Sequence, residues 1–208
     1  MADFEVIVVD DGSTDDTIAV LARLRERFGP RLRVVHHRVN RGYGAALQSG
    51  FANATKDWVF YTDGDGQYDL RDLPLLLRQV TPAVGFVNGY KTSRSDNWRR
   101  IWIGRVYNTV VRRAFAIKIR DVDCDFRLIR RSLLAECTLR STSGTICVEL
   151  VKTLQAAGAL HVETPVRHLP RLHGRSQFFR LPSLIKTFRQ LAALYWQHLN
   201  ASRLRRLS

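Results

Sequence analysis

Cysteine is scarce in this 208-residue chain: Cys124, Cys137 and Cys147 are its only three, and none belongs to a CxxC pair. An odd number at such spacing excludes a disulfide framework and gives no zinc signature, so a reducing, cytosolic compartment is expected. No charge-free apolar run approaches the roughly 20 residues that a bilayer-spanning helix requires. Met1 to Val9 is too short and too acidic for a signal peptide. Internal repeats, low-complexity tracts and an obvious interdomain linker are also missing. Acid is absent from the C-terminal end: after Glu163 come nine basic residues, Arg167, Arg171, Arg175, Arg180, Lys186, Arg189, Arg203, Arg205 and Arg206, with no Asp or Glu among them.

What is present suits one medium-sized α/β domain with a tail. Apolar residues make up 45% of the chain, enough for a core without disulfides or a structural metal. The formal net charge of +14 calls for an anionic partner, whether nucleic acid, anionic lipid or a phosphorylated substrate. The segment after Glu163 supplies most of that charge, whereas the aspartate clusters lie in the other half.

Short apolar runs alternate with helical spacing. Strands are expected at Phe4 to Val9, Leu32 to His36, Trp58 to Thr62, Val84 to Tyr90, Arg127 to Ile129 and Leu160 to Val166. Helices are expected at Thr17 to Phe28, Ala45 to Ala54, Asp72 to Val80, Arg99 to Ala116, Ser132 to Cys137 and Thr145 to Ala157. This order predicts a mostly parallel sheet with helices on both faces. Ligands of such sheets sit beyond the carboxyl ends of the strands, where Asp10-Asp11-Gly12-Ser13 and Asp63-Gly64-Asp65-Gly66-Gln67 both fall.

The second cluster is the more informative. Two carboxylates at i and i+2 beside glycines offer hard oxygen ligands on a turn open to a diphosphate, which suits Mg²⁺ or Mn²⁺. A divalent ion there would neutralise the charge left on a departing nucleotide diphosphate. An EF-hand is excluded, because its glycine position and closing glutamate are missing.

Taken in order, Ile7-Val8-Val9-Asp10-Asp11-Gly12-Ser13 with Asp16-Thr17, then Asn40-Arg41-Gly42 and Gly44, then Asp63 to Gln67 resemble the inverting GT-A glycosyltransferases typified by dolichol-phosphate mannose synthase. The likeness continues through Gly89, Asp121 to Arg131, Pro165-Val166 and Arg171-Leu172-His173-Gly174-Arg175-Ser176. It implies a GT-A, Rossmann-like fold and transfer of a hexose from a nucleotide sugar, GDP-mannose or a UDP-sugar, to a polyprenyl or dolichyl phosphate with inversion. It implies that Asp10 and Asp11 lie near the nucleotide base and ribose, that Asp63 contacts the nucleotide sugar, and that Asp65 and Gln67 ligate the metal. Lys91 stands where relatives often have arginine, and Arg94 and Arg100 are further candidates for phosphate contacts. Arg171 and Ser176 fall in a segment that lies near the acceptor in relatives. Asp121 matches the aspartate that opens a family segment, but Asp125 occupies that segment's small-residue position. An ionised lipid phosphate would need no strong base, whereas a sugar hydroxyl would require Asp121 or Asp125 to take a proton. Asp65, Asp121 and Arg100 are accordingly the candidate catalytic residues.

Relatives of this kind begin with an apolar strand that lines the nucleotide pocket. This sequence enters at what should be the second strand, so residues 1–180 are expected to form an N-terminally shortened GT-A domain with an exposed edge at Phe4 to Val9 and weakened donor binding. Residues 181–208 form a basic C-terminal helix and tail. Leu181, Leu184, Ile185, Phe188, Leu191, Ala192, Tyr195 and Leu199 recur at helical spacing opposite Lys186, Arg189, Gln190 and Gln197. Such a helix can dock on the domain's own core, on a membrane surface, or partly on each. The expected location is cytoplasmic, peripheral at the cytoplasmic face of a membrane. Glycosyl transfer to a polysaccharide or protein hydroxyl, a catalytically silent domain and a nucleic-acid-binding domain are the alternatives. Specific nucleic acid binding is not expected, for lack of a binding module or an aromatic stacking series.

Overall fold

A computed structural model describes residues 3–92, 98–171 and 181–207. The chain begins with β1 (Val6–Asp10), α1 (Thr17–Phe28) and β2 (Leu32–His36), followed by α2 (Tyr43–Asn53) and β3 (Trp58–Thr62). Next come α3 (Leu73–Leu77), β4 (Val84–Lys91), α4 (Trp98–Phe115), β5 (Phe126–Arg130), α5 (Arg131–Glu136), α6 (Thr145–Ala156), β6 (Leu160–Val166) and α7 (Leu181–Leu207). The expected strands and helices are all found, with ends shifted by a residue or two except at α3. Pro74 lies in the first turn of that helix, and beyond Arg78, whose N–H still donates to the Pro74 carbonyl, the ladder tightens to i→i+3 bonds, from Gln79 to Leu76 and from Val80 to Leu77, so the regular helix stops short of the expected Val80.

The sheet comes in two pieces. β1 pairs parallel with β2, and the other four strands run in the order β3-β5-β4-β6. Only β5 is antiparallel to its neighbours, so three of these four strands share one direction. The alternation of side chains along each strand divides the core. Phe86 and Ile129 face a cluster with Phe115, Ile119, Val148 and Leu150, under α2, α4 and α6, while Val87 and Leu128 face a second cluster with Leu76, Phe126 and Val166, on the α3 side. Helices therefore cover both faces, as expected.

β1 and β3 are brought near each other without pairing. The backbone N–H and hydroxyl of Thr55, just before β3, donate to Glu5, just before β1. Helix α2 covers both strands: Gly50 lies against Val9, and the Phe51 ring meets Tyr61 at 5.4 Å. Among the described residues no strand pairs with β1 on the side away from β2. β1 therefore keeps one unpaired edge, as expected from the sequence, and Phe4 and Val6 are exposed.

Helix α7 uses part of its apolar arc on the core. Leu191 and Leu194 pack against it, Thr187 is buried, and Tyr195 and His198 lie against Phe115 at the end of α4. Its Gln190 carboxamide accepts from the Thr142 and Ser143 backbone N–H groups and donates to the Thr142 hydroxyl. The other flank, with Ile185, Phe188 and Trp196, remains exposed. No helix among the described residues is long and apolar enough to cross a membrane.

Candidate active site

The turn after β1 forms one wall. Gly12 has φ 75°, and a Cβ there would come within 2.7 Å of Asn40 N and Val39 C, so a bare backbone lets this turn press on the loop that follows β2. Two histidines that the sequence reading passed over hold the carboxylates of the turn. His36 Nδ1 is 2.6 Å from Asp10 Oδ2, and His37 Nδ1 is 2.6 Å from Asp11 Oδ1. Asp11 also accepts from the backbone N–H groups of Arg41 and Gly42. Hydrogen bonds from Ser13, and then from His36, outweigh burial and hold the Asp10 carboxyl below its usual range. Burial pushes Asp11 upward, but His37 and the two amides lower it on balance.

Asp11 thereby fixes the start of α2, and the next residue joins the two acidic clusters. The Tyr43 hydroxyl is buried beside the carboxylates of Asp63 and Asp125. Asp63 follows β3. Loss of water, and secondly the Asp125 carboxylate, push its carboxyl up to about 8. Desolvation raises Asp125 as well, against the pull of the Arg127 guanidinium, and Cys147 Sγ donates to Asp125 Oδ1 at 3.1 Å. Two carboxyls this close and this dry do not both ionise readily.

Arg127 is fully buried on β5. Its Nε donates to Asn88 Oδ1 at 2.5 Å, its Nη1 to the Tyr61 hydroxyl at 2.6 Å, and its Nη2 to the carbonyls of Val122 and Cys124. A charge flanked by Phe126 and by Leu128-Ile129 in β5 was the sequence signal that could have revealed it. Lys91, at the end of β4, is mostly buried: Nζ donates to the Asp123 carbonyl at 2.7 Å and lies 3.9 Å from Asp121 Oδ2. Burial lowers the Lys91 pKa, but Asp121 and the neighbouring acids more than offset it, so the ammonium stays charged.

The expected metal ligands come together around a cation supplied by the protein. Arg171 Nη2 lies 2.5 Å from Asp65 Oδ2 and 3.0 Å from Gln67 Oε1, while Arg171 Nε reaches the same amide oxygen at 3.2 Å. A backbone strip delivers Arg171: the Leu169 N–H donates to the Gln67 carbonyl at 2.7 Å, His168 bridges antiparallel to Tyr68, and Arg167 pairs with Asp72 and Asp69. Tyr68 ties the strip to the interior by accepting from the Asp125 N–H at 3.1 Å.

The residues present fit a divalent ion. A carboxylate and an amide oxygen converge on one positive group, and both are hard donors of the kind Mg²⁺ and Mn²⁺ accept. No cluster of three or more His, Cys, Asp or Glu residues suited to a metal occurs among the described residues, so water and a bound diphosphate would complete the coordination. The structure thus brings Asp65, Gln67 and Arg171 into hydrogen-bond contact, with Asp63 within electrostatic reach of Asp65. It joins Asp11 to them through Gly42 and Tyr43, and Lys91 and Asp121 through Tyr68 and Asp125. Arg94 and Ser176 lie outside the described residues; Arg100 belongs to the first turn of α4, and its side chain lies outside them too.

Beside Gly42 runs a groove along α7, lined by Pro182, Ile185, Lys186, Arg189, Gln190 and Ala193. Lys186 Nζ stands 3.1 Å from where a Cβ on Gly42 would be, so the groove opens next to the start of α2.

Comparison with known proteins bears on the family and the fold. The sequence profile described as Glycosyl transferase family 2 matches residues 1–138. An undecaprenyl-phosphate 4-deoxy-4-formamido-L-arabinose transferase from Pseudomonas aeruginosa is 32% identical over 180 residues, covering 84% of this chain and 51% of the relative. The enzyme of the same name from Sodalis glossinidius is 31% identical over 182 residues, covering 85% and 53%. The chain thus spans about half the length of the curated relatives it matches. Among solved structures, glucosyl-3-phosphoglycerate synthase from Mycobacterium tuberculosis with Mn²⁺, uridine diphosphate and phosphoglyceric acid superposes with a TM-score of 0.66 at 21% identity, covering 93% of this chain and 67% of the other. The fold is shared with that GT-A enzyme.

Proposed function

This chain belongs to glycosyl transferase family 2, and we propose that it transfers a hexose or related sugar from a nucleotide sugar to a polyprenyl phosphate, with inversion at the anomeric carbon and with a divalent ion, Mg²⁺ or Mn²⁺, at Asp65 and Gln67. The observation that carries this reading is that Asp65 and Gln67 turn their oxygens onto one guanidinium, that of Arg171, with Asp63 within electrostatic reach of Asp65. The undecaprenyl phosphate in the relatives' names supports the acceptor class, and the Mn²⁺ and uridine diphosphate bound by the structural neighbour support the donor class and the metal.

In this reading the turn at Asp10 to Ser13 and the start of α2 shape the nucleotide end of the cleft, and Asp63 faces the sugar nucleotide. When bound at Asp65 and Gln67, the ion would neutralise charge on the diphosphate leaving group. Lys91 adds a positive charge on the same side, and Asp121 positions it. An oxygen of the acceptor phosphate attacks the anomeric carbon as the bond from that carbon to the diphosphate oxygen breaks. The acceptor oxygen is already ionised, with a second pKa near about 6, so no proton moves in the step. The absence of a demand for a base fits the site: with its pKa pushed up to about 8, the Asp63 carboxyl already carries a proton at neutral pH and is not free to take another from an acceptor.

The acceptor side is served by the groove along α7, which combines Lys186 and Arg189 with apolar Pro182, Ile185 and Ala193, a lining suited to a phosphate on an isoprenoid chain. The exposed flank of α7 carries Ile185, Phe188 and Trp196, and α4 exposes Trp102, Ile103, Val106 and Val110. Neither helix contains an acidic residue. Both features suit a protein that rests on an anionic membrane surface, peripheral to it at the cytoplasmic face.

The test is transfer of radiolabel from GDP-mannose, UDP-glucose and further nucleotide sugars into a butanol-extractable polyprenyl phosphate product. Label is expected in the lipid and should be lost with EDTA or in Asp65→Ala. Label that reaches only a water-soluble or protein acceptor would refute the lipid assignment.

A further inference from the structure

We propose that Arg171 is an internal counter-ion of the metal site: with no donor bound, its guanidinium holds the oxygens of Asp65 and Gln67, and it gives way when a divalent ion arrives, turning to the diphosphate that accompanies the ion. The proposal rests on the reading of Asp65 and Gln67 as metal ligands.

Three observations carry it. First, one nitrogen, Arg171 Nη2, touches both oxygens, at 2.5 Å and 3.0 Å, so the pair is already drawn together around positive charge. An exposed arginine seeking any partner would more commonly meet one carboxylate; here it takes a carboxylate and a neutral amide, the pair that a hard cation would also take. Second, the Asp65 carboxylate is shaped from its other side by the Gln67 N–H, which donates to Oδ1 at 3.0 Å and leaves Oδ2 for the guanidinium. Third, the strip that carries Arg171 is anchored by bonds that do not involve Asp65: Arg167 to Asp72 at 2.6 Å, Arg167 to Asp69 at 3.2 Å, and the Leu169 N–H to the Gln67 carbonyl at 2.7 Å. Release of Arg171 is therefore a side-chain rearrangement that leaves the strip in place.

A guanidinium and a divalent ion repel each other and compete for the same lone pairs, so each weakens binding of the other by an equal factor. The diphosphate removes that antagonism, because it offers the displaced guanidinium a bidentate partner. Ion and nucleotide are then expected to bind together better than either alone. Arg171 would thus keep the ligand pair arranged in the empty protein and discourage a metal ion that comes without its nucleotide.

The experiment measures Mn²⁺ binding to the full chain by loss of the free-ion paramagnetic resonance signal, with Mn²⁺ alone and then with uridine or guanosine diphosphate added. Without nucleotide, Arg171→Ala should bind Mn²⁺ about tenfold more tightly than the unaltered protein, within the usual span of site-to-site coupling. Arg171→Lys, a point charge unable to span both oxygens, should fall between them. Added diphosphate should strengthen Mn²⁺ binding more in the unaltered protein than in Arg171→Ala. Equal or weaker Mn²⁺ binding in folded Arg171→Ala and Arg171→Lys would overturn the proposal. Asp65→Asn in each background separates the two ideas: if it leaves Mn²⁺ binding unchanged, the metal-site reading itself fails, whereas if it abolishes binding while Arg171→Ala matches the unaltered protein, only the counter-ion role fails.

Discussion

At Asp63 the protein keeps a carboxyl that would be more comfortable in water. Its pKa is pushed to about 8 by burial and then by Asp125, while in the unfolded chain it lies near about 4. Between those values the folded protein holds a proton that the unfolded chain has released, so this group makes stability fall as pH rises from about 4 to about 8. Asp63→Asn removes the effect. In metal-free buffer it should flatten the decline of Tm across that interval and raise Tm at pH 8 by a few degrees, each kcal/mol being worth about 2–4 °C in a domain of this size. An unchanged Tm profile would show that Asp63 is better hydrated than its surroundings imply. The same substitution is expected to abolish transfer, since in the proposed function the group that costs stability is the one that faces the sugar nucleotide. Asp69 shows the opposite sign. Arg71, with Arg167 adding to it, holds the Asp69 carboxyl at about 2, so its contribution is complete above about 4 and is lost as pH falls toward 2. Arg167→Ala should weaken the acid resistance of the strip that bears Arg171, seen as earlier local amide exchange at Leu169 when pH is lowered.

The start of α2 is the element on which the candidate site is built. Asp11 anchors it from one side, while from the other the Gly44 N–H donates to the Thr142 carbonyl, and Gln190 of α7 holds the same loop. A Cβ on Gly44 would sit 2.2 Å from the Ser141 carbonyl oxygen and 2.9 Å from its carbon, and backbone cannot yield as a flexible side chain can. Gly44→Ala is expected to cost about 1–3 kcal/mol by overpacking, measured by urea unfolding. It should also lower transfer, because Tyr43 would move with the helix. Gln190→Ala leaves the Thr142 and Ser143 N–H groups without their acceptor and should cost about 1–2 kcal/mol. If either variant matched the parent in unfolding, the contact between α2, the loop at 141–143 and α7 would be looser than its geometry indicates.

Across the molecule, charge and apolar exposure point to the same partner. The net charge of +14 and the acid-free helices α4 and α7 favour an anionic surface, and Trp102, Phe188 and Trp196 are exposed to enter it. Sedimentation with vesicles should show binding to phosphatidylglycerol-containing membranes that weakens with salt, little binding to phosphatidylcholine alone, and a loss of roughly tenfold in Phe188→Ser with Trp196→Ser. Equal binding to both vesicle types would remove the electrostatic part of the argument.

Much of this protein could be read along the chain. The strands, the helices and the places where aspartates end strands follow from apolar periodicity and turn chemistry, which act over a few residues. The amphipathic pattern of α7 likewise announced a helix with two possible docking partners. Contacts between distant segments could not be read in the same way. Tyr43 reaching Asp63 and Asp125, Arg127 fully buried among Asn88 and Tyr61, and the histidine partners of Asp10 and Asp11 depend on which strands lie side by side. Arg171 against Asp65 is a pairing 106 residues apart in sequence. Packing fixes such pairings and, through loss of water, their charge states: a local sequence pattern specifies which groups exist, whereas burial and proximity specify which of them share a proton or an ion.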